Sequence, residues 1–166
     1  MKTILTKAVV MVFLFAQAIG IQAQTASSKP DQVKFMKQLD GTWQADLGKD
    51  TVLVTTLKTF GTGLDGFARV ETKGKVISER RQLFGYDSKA DQFIEAELTK
   101  GSDMELWSCW FTKENFMVGV PYANRLDPEK SVLRVEIDIK SPDSYVQTVY
   151  QNGKRIGGRN MIRKKG

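Results

Sequence analysis

The sequence predicts an all-β protein: an antiparallel up-and-down β-barrel of about ten strands, with a short N-terminal helix closing one end. Three observations carry that expectation. Turn signals recur roughly every 12 residues from Gly48 onward, the spacing of a long strand plus a hairpin turn. Between them, apolar and polar residues alternate with period two. Leu39-Asp40-Gly41-Thr42-Trp43 stands directly before the first such segment, and its tryptophan is suited to plug a barrel end.

Residues 1–23 read as a signal peptide. Lys2 and Lys7 precede the apolar run from Ala8 to Phe15, and small and polar residues follow. Ala23 is the expected last leader residue, with Ala16-Gln17-Ala18 as an earlier option. Gln17 and Gly20 break the apolar run too soon for a stable membrane span. No cysteine lies near the cleavage site to carry a lipid anchor. An exported protein, periplasmic or extracellular, is expected. Residues 24–30 form a polar tether, and 31–166 form one barrel domain.

Pro30 and Asp31 suit a helix start, and Val33, Phe35, Met36 and Leu39 give it a short apolar stripe. About two turns cannot stand alone, so this helix should lie across a barrel end. Strand-length segments then run between turns at 48–50, 61–63, 73–74, 87–89, 100–102, 113–115, 141–143 and 152–153. Asn152-Gly153 is the strongest turn, because both residues tolerate the positive φ of a type I′ hairpin. Only Pro121–Lys130 is a longer connection. Trp43, Ala45 and Leu47 share a face. Leu133, Val135, Ile137 and Ile139 oppose Arg134, Glu136 and Asp138. Ile94, Ala96 and Leu98 oppose Glu95 and Glu97, which places the two glutamates on the solvated face. Closure removes the exposed strand edges, and at this strand number an internal cavity is the expected consequence.

Composition excludes several chemistries. The chain of 166 residues has no histidine, which removes His-ligated haem, His-containing zinc sites and Ser-His-Asp or Cys-His catalysis. Cys109 is the only cysteine, so no internal disulfide forms, and a buried inert thiol is its expected state. The formal charge of +6 gives no case for nucleic acid. Lys154, Arg155, Arg159, Arg163, Lys164 and Lys165 read as a solvated edge and tail, with an anionic surface as the sharper alternative.

Gly41-Thr42-Trp43, the helix before it and the meander after it resemble the calycin group of lipocalin-like barrels. The closer resemblance is to a family of secreted bacterial lipocalin-like domains, whose central hairpin is similar to Leu83-Phe84-Gly85-Tyr86-Asp87 followed by Phe93. It spans about residues 30–163 and implies binding of small apolar or amphipathic molecules. Fatty-acid-binding proteins insert a two-helix lid where this chain has a tight turn at 48–50. Avidins open similarly, but their ureido-binding Asn, Ser and Tyr correspond here to Ala45, Lys49 and Phe67. Nitrobindin-type haem barrels need a histidine that is lacking.

Candidate ligand-binding residues are Arg80, Arg81, Phe84, Trp107, Trp110 and Tyr122. Glu79-Arg80-Arg81-Gln82 is polar on both faces of one strand, so either Arg80 or Arg81 must point inward. There it would meet an anionic ligand or an internal ion pair, unless a bulge in the strand lets both arginines reach water beside Glu95 and Glu97. Phe84, Trp107 and Trp110 could form the apolar wall. The 121–130 loop is the expected lid, with Tyr122 as a polar contact. Gly41, Trp43, Arg159 and Arg163 are the expected structural barrel end. The first and last strands meet there, and either Arg159 or Arg163 could stack on the indole. An outward tryptophan could serve a homodimer. The function expected is binding of a small apolar or amphipathic ligand, a fatty-acid-like anion among the candidates, with no catalytic residue, metal or cofactor. The alternative is a protein-interaction or inhibitor module with a filled core.

Overall fold

The computed structural model describes residues 29–165. The expected signal peptide, its cleavage site and most of the tether lie outside the described residues. The chain forms α1 (Gln32–Met36), a 3-10 turn (Lys37–Leu39) and ten strands: β1 (Gly41–Gly48), β2 (Thr51–Phe60), β3 (Gly63–Thr72), β4 (Lys75–Asp87), β5 (Gln92–Thr99), β6 (Met104–Lys113), β7 (Phe116–Pro121), β8 (Leu133–Ser141), β9 (Ser144–Gln151) and β10 (Lys154–Arg163). Each strand pairs antiparallel with its sequence neighbour, and β10 closes on β1. Every turn signal read from the sequence falls between two strands. Lys49-Asp50, Lys73-Gly74 and Asn152-Gly153 all have positive φ at both residues, the conformation a type I′ hairpin requires. No helix among the described residues is long and apolar enough to cross a membrane.

The β1–β10 seam is short. Trp43 faces Arg163, Gln44 faces Ile162, and the Lys164 amide donates to the Thr42 carbonyl at 2.7 Å. It is reinforced by what lies across that end. Asp31 caps α1 through the Lys34 amide. Gln32 is bonded through both ends of its amide to the Phe111 backbone, at 2.7 and 2.9 Å. Met36 and Leu39 are buried in one core with Leu64, Phe93 and Phe111. The Trp43 indole N–H donates to the Leu39 carbonyl at 2.8 Å, and its ring meets Tyr145 edge-on at 4.7 Å.

Arg163 completes the plug. Its guanidinium lies 4.1 Å from the Trp43 ring and donates to the carbonyls of Gln38, Asp40 and Pro142. Gly41 is glycine for this reason. Its φ is +135°, and a Cβ there would sit 2.0 Å from an Arg163 nitrogen.

One strand is reversed relative to its sequence pattern. Phe93, Glu95 and Glu97 face the interior of β5, whereas Ile94, Ala96 and Leu98 face out. The glutamates are therefore not surface charges. Phe93 sets the parity: fully buried at the plugged end, it takes Glu95 and Glu97 inward with it. The outer face gains a row of apolar residues in register: exposed Leu83 and Leu106 flank half-buried Ala96, and exposed Leu98 lies beside exposed Met104.

Candidate functional site

The interior above the plug is not filled. A cavity of about 260 Å³ extends from Leu39, Leu57 and Met161 at the plugged end toward Glu105, Trp107, Leu133 and Val149. The middle of its wall is mainly apolar: Leu53, Phe84, Met117, Val135 and Ile137. Gly119, opposite Cys109, keeps β7 close there. A Cβ on Gly119 would stand 3.1 Å from the Cys109 sulfur.

Polar side chains enter the cavity from two sides, in two different conditions. On β4 and β5 they satisfy one another. Arg80 pairs with Glu97 at 2.8 Å, and the Gln82 amide donates to Glu95 at 2.6 Å and to Glu97 at 3.3 Å. The Cys109 thiol points at the second Glu95 oxygen, 3.8 Å away. Burial pushes the Glu95 carboxyl up to about 7, and the neighbouring charge of Glu97 adds to this. Gln82, Arg80 and Cys109 oppose the rise. Burial likewise raises the Cys109 thiol well above its ordinary range, so it stays protonated.

On β9 and β10 the polar groups are uncommitted. Arg159 and Gln147 are direct cross-strand partners, and both line the cavity. Neither side chain makes a hydrogen bond or ion pair among the described residues. The Tyr145 hydroxyl beside them is also without a partner there, and burial raises its pKa, so it remains a donor. Among the described residues no fully buried side-chain nitrogen or oxygen lacks a hydrogen bond, so these groups open onto the cavity. Burial, then the like charge of Arg80, lowers the pKa of Arg159. Its guanidinium nonetheless stays charged at any ordinary pH.

The sequence-predicted residues divide accordingly. Arg80, Phe84 and Trp107 line the cavity. Arg80 is the inward member of its pair, but its charge is already met by Glu97. Arg81 points out and lies over the Phe67 ring at 4.8 Å. Trp110 is also outward, paired with Val118, because Trp107, Cys109 and Phe111 hold the inner face of β6. Tyr122 sits in a 3-10 turn (Tyr122–Asn124), beneath the Arg125 guanidinium at 4.0 Å, away from the cavity lining. The loop that carries it joins β7 to β8 at the end opposite α1. Gly41, Trp43 and Arg163 build the plug, but Arg159 does not. It lies four residues earlier on β10 and projects into the cavity.

Sequence reasoning missed Gln82, Glu95, Glu97, Tyr145 and Gln147 as cavity residues. The available signal was charge matching between adjacent strands, because Arg80 and Gln82 on β4 need acceptors and Glu95 and Glu97 on β5 supply them. Among the described residues no three His, Cys, Asp or Glu side chains group to hold a metal.

No family model matches the chain, and no curated protein matches it.

Proposed function

We infer that this is an exported binding protein whose barrel holds a small amphipathic ligand, and that it performs no chemistry of its own. The cavity supports this most directly: an internal space with an apolar middle and convergent polar groups, open at one end, is the usual form of a small-molecule site. Its volume of about 260 Å³ lies just below the range of about 300–1,000 Å³ usual for such sites. A compact ligand therefore fits better than a long-chain fatty acid. A filled interior, as in the alternative interaction module, is less well supported by a barrel with this internal space.

Native mass spectrometry of protein isolated from its source should find a non-covalent adduct that is lost on denaturation. Small amphipathic compounds should shift the NMR resonances of Phe84, Met117 and Ile137. A bare protein whose cavity resonances respond to no such compound would overturn the binding reading.

A further inference from the structure

We propose that the ligand is a compact monocarboxylate, received by Arg159 on β10 with Gln147 and Tyr145 as flanking donors. This rests on the reading of the barrel as a ligand container and names the chemical class that the container takes.

The inventory of the cavity's charged groups carries the inference. Arg80 and Glu97 neutralise each other at 2.8 Å. Glu105 stands at the solvent-exposed mouth, bonded to the Trp107 indole at 3.2 Å. Glu95 is held by Gln82 and is buried enough to carry its proton up to about pH 7. Arg159 is left as the one inward cation with no carboxylate within ion-pairing distance among the described residues. A half-buried guanidinium without a partner is costly in a low-dielectric interior, and an incoming anion removes that cost.

The flanking groups fit an oxyanion. Gln147 is the cross-strand neighbour of Arg159 and offers an amide N–H. Tyr145 offers a hydroxyl that burial keeps protonated. The planar guanidinium fork matches a carboxylate's two oxygens. A phosphate dianion fits poorly, because its second charge would be unmatched in the same space as Glu97. The ligand's apolar body has Leu53, Phe84, Met117 and Ile137 to pack against.

Space above Arg159 permits entry. Gly157 is on the same face of β10, opposite Val149, and a Cβ there would meet nothing within 4 Å. A bulge between Arg155 and Gly157 shifts the β9–β10 register beside this space.

The test is calorimetric titration of the folded protein with 1-hexanol, hexanoate and hexyl phosphate, using wild type, Arg159→Gln, Arg159→Lys and the outward-facing control Arg81→Gln. Wild type should bind hexanoate at least about tenfold more tightly than either hexanol or hexyl phosphate. Arg159→Gln should lose roughly 30-fold or more in hexanoate affinity, with hexanol unchanged. Arg159→Lys should fall between, keeping the charge without the fork, and Arg81→Gln should match wild type. Equal affinity for hexanol and hexanoate in wild type would overturn the monocarboxylate assignment while leaving the container reading intact. So would hexyl phosphate binding as tightly as hexanoate, or hexanoate binding that ignores Arg159→Gln. Failure of all three compounds to bind would count against the container itself.

Discussion

Arg159 and Arg163 stand four residues apart on the inner face of the same strand, and the barrel treats them in opposite ways. Arg163 reaches the carbonyls of Gln38, Asp40 and Pro142 and stacks on Trp43 at 4.1 Å. It ties the 3-10 turn after α1, the start of β1 and the β8–β9 turn into one plug, reinforcing a seam with only two residue pairs in register. Arg159 ties nothing together among the described residues. The difference separates structural from receptive charge. One guanidinium's donors are taken up by the chain's own carbonyls, while the other's face an internal space. Arginine at an inward position therefore says little about function until its partners are counted.

The comparison can be broken from either side. The largest effect is expected at the plug itself. Trp43→Ala should destabilise by about 3–5 kcal/mol in urea unfolding, as for a fully buried aromatic. A midpoint equal to wild type would show that the plug does not hold the barrel closed. Arg163→Ala should cost about 2–4 kcal/mol, because three carbonyls lose their donor and the indole loses its cation.

The self-satisfied wall supplies the next effect, through Glu95. Its folded-state pKa of about 7 lies above the reference of 4.5, so the folded chain holds a proton that the unfolded chain has released. That contribution is fully present below about pH 4.5 and is lost as pH rises through about 7, by on the order of 3 kcal/mol. Asp40 acts in the opposite sense at lower pH. Hydrogen bonds from the Thr59 hydroxyl and amide hold its carboxyl below 3.8, so its share is present above that value and is lost on acidification. Glu95→Gln should flatten the decline between pH 5 and 8, measured by urea melts across that interval. An unchanged slope would remove Glu95 as its source.

The smallest effect is expected at the receptive arginine. Arg159→Leu should leave stability within about 1 kcal/mol of wild type or raise it slightly, because it removes a half-buried cation beside Arg80 and no hydrogen bond. A loss as large as that of Arg163→Ala would mean that Arg159 is structural after all.

Much of the fold was legible in the sequence because it depends on local signals. Turn chemistry at residues such as Lys73-Gly74 and Asn152-Gly153 sets strand boundaries without reference to the rest of the chain. That Trp43 meets the end of β10 followed from closure, since the first and last strands of a meander must meet. The interior was less legible, because alternation gives two faces and does not say which is inside. On β8 the apolar face is inward. On β5 the same pattern is inverted, and the decisive residue, Phe93, lies at the strand's edge, where the alternation does not register it. Trp107 and Trp110 could not be assigned to faces because aromatic rings occupy both parities of β6. Two arginines of one parity, Arg159 and Arg163, are candidates for one indole in the sequence, and the register selects Arg163. From its loop alone Tyr122 reads as a pocket contact, but a 3-10 turn and Arg125 hold it elsewhere.

The most direct measurement of the central claim is a crystal structure of the protein grown at saturating hexanoate. Density is expected inside the barrel, with the carboxylate against the Arg159 guanidinium and the chain running past Phe84 toward Met117. A cavity holding only water, or hexanoate bound only on the outer face near Leu83 and Leu98, would contradict it.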